Sequence, residues 1–320
     1  MSVTEYSQEA MNRKRRKSWH WSALAEWGSL WGMRCLLKLQ LLFGRKALQW
    51  LLYPVVSYYW LVNASGRRAS QTYLAHLAAF APHLVLGNTI TFSYRHFMAF
   101  ANAIADKISV WSGSLSLDDV QFQGRTELFN ALETGKGVLL LGSHLGNLEI
   151  CRVLAQFDRE IRINVLMHTR HAQKFNRLLQ ETNPDSQLNI IQVDSINAAT
   201  AMLLSDKVAQ GELVIIAADR SPVSQQPRMC QVNFLGAPAF FPQGPFILAA
   251  LLQCPVFTIF CLPQQNNHMV YFEAFSEGLI FPKDRREQLI QQSAQRYAHC
   301  LESYCVKAPL QWFNFYDFWD

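Results

Sequence analysis

The chain of 320 residues is richer in apolar residues and poorer in charge than a typical soluble domain, with 50% hydrophobic and 17% charged residues. Its seven cysteines are scattered and contain no C-x-x-C pair, which argues against a disulfide framework and a cysteine-based zinc site. Residues 1–50 carry nine Lys or Arg residues and three acids, a net charge of +6, whereas the rest of the chain is near neutral. This asymmetry indicates an anionic partner surface, either nucleic acid or lipid headgroups.

The first segments predict an arm followed by helices at a membrane. Residues 1–20 are polar and basic and predict a disordered arm, and the following segment lacks the continuous apolar run of a secretory signal. In residues 29–43 a few cationic side chains form a narrow stripe on an apolar helix, which is typical of a helix in a membrane interface. Because these cations stand among leucines and tryptophans, lipid is favoured over nucleic acid as the partner.

The next apolar run, residues 47–62, is uncharged and contains Pro54. A membrane-spanning helix needs about 20 apolar residues, so a hairpin that dips into one leaflet is favoured over a transmembrane helix. A buried core helix is the alternative. We therefore expect membrane-associating helices over residues 21–66 and one catalytic domain over residues 67–320.

Residues 67–113 predict amphipathic helices, after which short apolar runs alternate with helical patterns. Strands are predicted at 138–142, 161–166, 188–193, 213–218, 255–261 and 269–275, and helices at 123–134, 146–157, 171–181, 196–210, 244–253 and 285–306. This alternation predicts an α/β fold, with a mostly parallel sheet and helices on both faces.

The segment "LLLGSHLGNLEICR", residues 139–152, places His144 between a predicted strand and a predicted helix. Chemistry in such sheets collects at the carboxyl ends of the strands. Glu149, in the first turn of the predicted helix, is near enough to hold the imidazole, and a histidine held by a carboxylate is a general base. Backbone N–H groups at the helix start are candidate donors to a developing oxyanion. Without a nucleophilic Ser or Cys at the turn, the pattern favours direct acyl transfer to a substrate hydroxyl or amine.

"SHLGNLE" resembles the His-x4-Asp/Glu signature of the lysophospholipid acyltransferase superfamily, and "LLLGSHLGNLEICR" is most similar to its lipid A late-acyltransferase branch. "MHTRHAQKFNRLLQ" and "ADRSPVSQQPRMCQVNFLGAPAFFPQGPFILAALLQCPVF" resemble later blocks of that branch, and "GSLWGMRCLLKLQLLFGRKALQWLLYPVVSYYW" resembles its membrane-associating helices. The resemblance covers most of the chain.

The resemblance implies transfer of an acyl chain from acyl carrier protein or coenzyme A to a lipid or glycolipid acceptor. The site would lie at the cytoplasmic face of the inner membrane, against its anionic lipids, with neither cofactor nor metal and no nucleic-acid partner. His144 would be the base and Glu149 its partner. The substrate-positioning residues that the resemblance implies are Arg170, Asn176, Asp219, Arg220, Gln243 and Gly244.

Two departures from the branch widen the choice of acceptor. "LLQETNPDSQLNIIQV" lacks the arginine that lipid A enzymes carry after the motif, and "QWFNFYDFW" near the carboxyl terminus resembles acyltransferases of aryl-polyene-type pathways. The alternatives are therefore an acyltransferase of aryl-polyene-type lipid synthesis or an inactive membrane scaffold of the same fold. The carboxy-terminal aromatic residues either line an acyl tunnel or pack onto the sheet.

Rival interpretations use the same residues. Ser143 precedes the turn's apex rather than occupying it, which argues against a serine hydrolase. His144, Glu149, His168 and His171 are close in sequence but match no standard metal-binding spacing. Arg170 is alternatively a solvated charge at a helix start, and Asp219 with Arg220 is alternatively an ion pair that caps a strand.

Overall fold

A computed structural model describes residues 50–85, 87–111, 117–148, 150, 161–167, 188–192, 198–220, 228–264 and 267–319. The predictions for residues 1–20 and 29–43, and the helix predicted at 171–181, lie outside the described residues, as does most of the helix predicted at 146–157.

Three helices come first in the described chain: α1 over residues 50–62, α2 at Ala64–Phe80 and α3 at Thr89–Trp111. The helical prediction for residues 67–113 is thus confirmed as two helices. The Asn63 side chain caps α2 by accepting from the backbone N–H of Gly66 at 2.9 Å. Trp60 in α1 donates its indole N–H to Ser93 in α3 at 3.3 Å, which ties the two helices together.

Apolar side chains of α1 face outward. Val56 is the one buried residue among residues 50–62, which contradicts the alternative of a buried core helix. The exposed apolar side chains of this helix are Trp50, Leu51, Tyr53, Val55, Tyr58, Tyr59, Leu61 and Val62. Among the residues that the structure describes, none of the helices has both the length and the apolar character to cross a bilayer.

A seven-stranded sheet forms the centre of the fold, with the strand order β1-β9-β8-β2-β5-β3-β4. Its strands are β1 Val120–Gln123, β2 Leu139–Gly142, β3 Ile163–Met167, β4 Leu188–Gln192, β5 Leu213–Ala217, β8 Val256–Gln264 and β9 Asn267–Ser276. Strands β8, β2, β5, β3 and β4 are parallel to one another, whereas β9 runs antiparallel to β8 and β1 runs parallel to β9. All six predicted strands are therefore confirmed. The prediction missed β1, which has only four residues.

The remaining elements surround this sheet. The helices are α4 Arg125–Leu132, α5 Ala198–Ala209, α6 Gly244–Leu252 and α7 Arg286–Lys307, with a short 3-10 helix at Leu117–Asp119. An antiparallel hairpin of β6 Met229–Phe234 and β7 Ala237–Pro242 lies outside the main sheet and contacts α7. The sequence prediction missed this hairpin, because polar residues interrupt the apolar residues of β6 and β7 contains two prolines, which are uncommon inside strands.

Core residues alternate between the two faces of the sheet. In β2, Leu139 and Leu141 join a cluster with α2, α6 and α7, whereas Leu140 joins a second cluster with α4. All four β2 residues are buried, as expected for a central parallel strand covered on both sides. The predicted α/β fold with helices on both faces is confirmed, and the carboxyl end of β2 meets that of β5 at one edge.

Candidate active site

The turn that follows β2 has a backbone that only glycine can adopt. Gly146 has a φ of 71°, and a Cβ atom added there would lie 1.7 Å from the carbonyl oxygen of Cys261. The Ser143 hydroxyl accepts from the backbone N–H of Leu145 at 3.1 Å, and Gly146 donates its N–H to the Gln311 carbonyl at 2.8 Å. Ser143 is thus a buried turn residue, which leaves His144 at the apex.

His144 is held by a buried carboxylate that comes from the neighbouring strand. Asp219 lies just beyond the end of β5, and its Oδ1 accepts from Nδ1 of His144 at 2.8 Å. Its Oδ2 accepts from the backbone N–H of the same histidine, also at 2.8 Å. The carboxylate therefore fixes both the ring and the backbone of His144.

Electrostatics keep this pair as a neutral imidazole and an ionised carboxylate. Burial alone would raise the pKa of Asp219, but the charge that His144 gains at low pH, its hydrogen bonds and the charge of Arg220 outweigh burial and bring the pKa to about 2. Burial and the positive charges of Arg220 and Lys107 lower the pKa of His144, although Asp219 opposes them. At neutral pH the ring therefore carries its proton on Nδ1, towards Asp219.

The other ring nitrogen of His144, Nε2, keeps its lone pair. Among the residues that the structure describes, none forms a hydrogen bond with Nε2, and 36% of the side chain is exposed. A substrate hydroxyl can therefore approach it. A neutral, oriented and accessible imidazole of this kind is suited to remove a proton as a general base.

A carboxy-terminal segment, residues 309–319, completes the site and is called here the strap. Its Trp312 donates the indole N–H to Oδ2 of Asp219 at 3.0 Å. Phe313 donates its backbone N–H to the His144 carbonyl at 2.9 Å and accepts from the Arg220 guanidinium. The strap thus contacts His144, Asp219 and Arg220.

Backbone N–H groups in the turn have partners within the chain. The N–H of His144 donates to Asp219, and that of Leu145 donates to Ser143. The N–H of Gly146 donates to Gln311, and that of Asn147 donates to Cys261. The expectation that N–H groups at the helix start bind an oxyanion therefore fails for residues 144–147. The positive charge of the Arg220 guanidinium acts on both His144 and Asp219, and the ring of Tyr316 lies 5.6 Å from its central carbon.

The other predicted site residues have mixed outcomes. Glu149, Arg170 and Asn176 lie outside the described residues, as do His168 and His171. Asp219 and Arg220 lie beside His144. Gln243 precedes α6 and donates to the Met229 carbonyl at 3.2 Å, and the hydrogen bonds described for it join it to β6 and Arg228 rather than to the His144 turn. Gly244 is the first residue of α6.

Sequence reasoning missed Trp312 and Lys107 as site residues. It implies that Asp219 positions a substrate, whereas the structure places Asp219 on His144. The closeness of Asp219 to His144 could be predicted in principle, because the carboxyl ends of adjacent parallel strands meet at one edge of a sheet. Trp312 was predicted only as a packing or tunnel residue. Its ring is indeed buried in the core, with Phe313 and Phe318, but no sequence spacing reveals the target of its N–H.

Comparison with known proteins identifies the family. The family model described as bacterial lipid A biosynthesis acyltransferase matches residues 16–320, which is nearly the whole chain. No curated protein matches the sequence. A match of this extent shows that the chain belongs to the bacterial lipid A biosynthesis acyltransferase family and is an acyltransferase.

Proposed function

We propose that this acyltransferase moves a fatty acyl chain from a thioester of acyl carrier protein or coenzyme A directly to a hydroxyl group of a lipid or glycolipid. The observation that carries the proposal is the geometry of His144. Its Nδ1 donates to the buried Asp219, which leaves Nε2 as the basic nitrogen of a side chain that is 36% exposed. No acyl-enzyme is required, because the base acts on the acceptor itself.

The reaction follows from this protonation state. As Nε2 of His144 takes the proton of the acceptor hydroxyl, the oxygen attacks the thioester carbonyl and a tetrahedral oxyanion forms. The C–S bond then breaks with the electron pair leaving on sulfur, and the imidazolium returns its proton to the thiolate. The products are the acylated lipid and a free thiol. General-base assistance of this kind contributes about 10²–10⁴ in rate.

Two carboxylates have separate roles in this proposal. Asp219 fixes the tautomer of His144 and stabilises the imidazolium, since it already holds Nδ1. Glu149 is proposed to support the same imidazolium by its charge from the segment that follows the turn. The two roles are separable, because loss of the Asp219 carboxylate disturbs the tautomer whereas loss of Glu149 removes only charge.

Positively charged residues are proposed to bind the anionic parts of the substrates. Arg220 lies beside the base and is well placed to stabilise the oxyanion, a task for which preorganised donors are effective. Arg170 and Asn176 are proposed to position the donor or acceptor. Gln243 and Gly244, at the start of α6, are proposed as further substrate contacts.

Helix α1 supports a membrane location for the reaction. Its side chains include Trp50, Tyr58 and Leu61, exposed by 77%, 63% and 65% respectively. Aromatic side chains are favoured at the headgroup level of bilayers. We propose association with the cytoplasmic face of the inner membrane, where a water-soluble thioester and a lipid acceptor meet.

A lipid comparison tests the proposed function. Cells with the wild-type protein are compared by mass spectrometry of lipid extracts with cells that express His144→Ala at equal levels. His83→Ala is the matched control, because His83 is exposed on the loop between α2 and α3. We expect a lipid that gains one acyl chain with the wild type and the control but not with His144→Ala. A folded His144→Ala protein that still forms this lipid would disprove the role of the base.

A further inference from the structure

We propose that Trp312 is a positioning residue for the reaction, one that holds Asp219 and through it sets the orientation and basicity of His144. This inference rests on the proposed function of His144. It assigns to the strap a part in the chemistry beyond packing.

The hydrogen bonds of Asp219 support this role. The carboxylate is fully buried, and its Oδ2 accepts from both the Trp312 indole and the backbone N–H of His144. Hydrogen bonds to an ionised acceptor are stronger than those between neutral groups, and most of all where water is excluded. The indole therefore fixes the oxygen that Nδ1 of His144 does not hold, so that the carboxylate cannot rotate away from the ring.

The Trp312 ring has little freedom to move. It is 1% exposed and makes edge contacts with Tyr73, Phe234 and Phe318, at centroid distances of 5.0, 5.1 and 4.9 Å. Three elements, α2, β6 and the strap itself, thus enclose the ring. The direction of its N–H is fixed before substrate binds, which is the condition for precise positioning.

The backbone of the strap is held as firmly as the ring. The Trp312 carbonyl accepts from Nε2 of the buried His96 at 2.9 Å, and the Pro309 carbonyl accepts from the Tyr73 hydroxyl at 2.9 Å. His96 also accepts from the Ser70 hydroxyl through Nδ1, at 3.0 Å, which sets its tautomer. Burial lowers the pKa of His96 to about 4, so at neutral pH it remains a neutral donor to the strap.

Trp312→Phe tests the inference, with Trp319→Phe as its matched control. Trp319 belongs to the same aromatic cluster, but its indole donates to the Phe234 carbonyl at 3.3 Å rather than to Asp219. Each substitution removes one indole N–H and shrinks one ring. Turnover is measured as thiol release from a panel of saturated acyl thioesters, on coenzyme A and on acyl carrier protein, in micelles of total lipid extract.

We expect kcat of Trp312→Phe to be about tenfold below that of Trp319→Phe, with KM for the thioester unchanged. The acid limb of the pH profile should move to higher pH, by about half a unit. Without the indole donor, the Asp219 carboxylate keeps more negative charge for the imidazolium, and this raises the pKa of His144. A purely structural tryptophan would reduce activity equally at every pH. Equal kcat values and an unshifted acid limb in the two variants would overturn the inference.

A second measurement covers the case in which Trp312→Phe does not fold. The indole N–H signals of the nine tryptophans are compared by NMR in the wild type and in Asp219→Asn. One indole signal should shift, because its acceptor changes from an ionised carboxylate to a neutral amide oxygen, and nine unchanged signals would refute the contact. Failure of the proposed function would be seen in a different experiment, since His144→Ala would then retain acyl transfer. The Trp312→Phe kinetics and the indole signals test only the role of Trp312.

Discussion

Replacing Asp219 by asparagine should abolish most activity while leaving the fold intact. The carboxylate receives three N–H donors: Nδ1–H of His144 at Oδ1, and the His144 backbone and Trp312 indole at Oδ2. Asparagine has one oxygen and one NH₂ group. Because two of the donors converge on Oδ2, the amide oxygen belongs there, and the NH₂ group then faces Nδ1 of His144.

That arrangement changes the tautomer of the base. Facing an NH₂ donor, Nδ1 must present its lone pair, and the ring proton moves to Nε2, which can no longer accept a proton from the substrate. We expect kcat to fall by about 10³–10⁴. The pKa of Asp219, about 2 against an ordinary 3.8, implies that the ionised carboxylate also contributes about 2 kcal/mol to stability above pH 4.

Asp106→Asn is the matched control. Asp106 is also buried and also lies beside a histidine, with its Oδ2 3.3 Å from Nε2 of His268. Both variants are assayed for thiol release at equal folded concentrations, and their stability is measured by urea denaturation. Retention by folded Asp219→Asn of more than about a tenth of wild-type kcat would refute the tautomer argument, since a displaced proton leaves no base.

Three further predictions concern the backbone, acid stability and the membrane. Gly146→Ala should prevent folding, which is measured as soluble yield and thermal melting. Gly135→Ala is the control: no atom lies within 4 Å of its added Cβ, so it should lower the free energy of unfolding only by the left-handed strain, about 1–2 kcal/mol. His96, with a pKa lowered from 6.5 to about 4, should account for about 3 kcal/mol of stability that is lost as the pH falls from 6.5 to 4. Urea titrations should therefore show a shallower loss over this range for His96→Gln, and an identical slope would exclude His96 as the source. Tyr58→Glu on α1 should weaken sedimentation of the protein with anionic vesicles. Met202→Glu should not, although Met202 is 70% exposed on α5. Equal vesicle binding by the two variants would count against α1 as the membrane-binding surface.

The sequence predicts the sheet better than it predicts the site. Strands such as β2 and β5 are continuous apolar runs between turns, so their positions follow from local composition. The hairpin β6–β7 was missed, because polar residues interrupt β6 and β7 contains two prolines. His144 was found because its turn lies between a strand and a helical pattern.

Which carboxylate pairs with His144 depends on the order of the strands in the sheet, and local sequence patterns do not contain that order. Asp219 reaches His144 because β5 is the neighbour of β2, and Trp312 reaches Asp219 because the strap returns to the same edge. The sequence shows an acid after a strand and a tryptophan in an aromatic run, without showing that they meet. Closeness along the chain favours Glu149 as the partner, and that role stays a proposal.

The catalytic base is assembled from parts that are far apart along the polypeptide. His144 and Asp219 are separated by 75 positions, and Asp219 and Trp312 by 93. Contacts of such long range form only after most of the chain has ordered, because each closes a large loop at an entropic cost. The site is therefore completed late in folding, and a partly folded chain has no oriented imidazole. As denaturant is added, turnover should disappear no later than the tertiary fold, so activity reports on the cooperative integrity of the whole sheet.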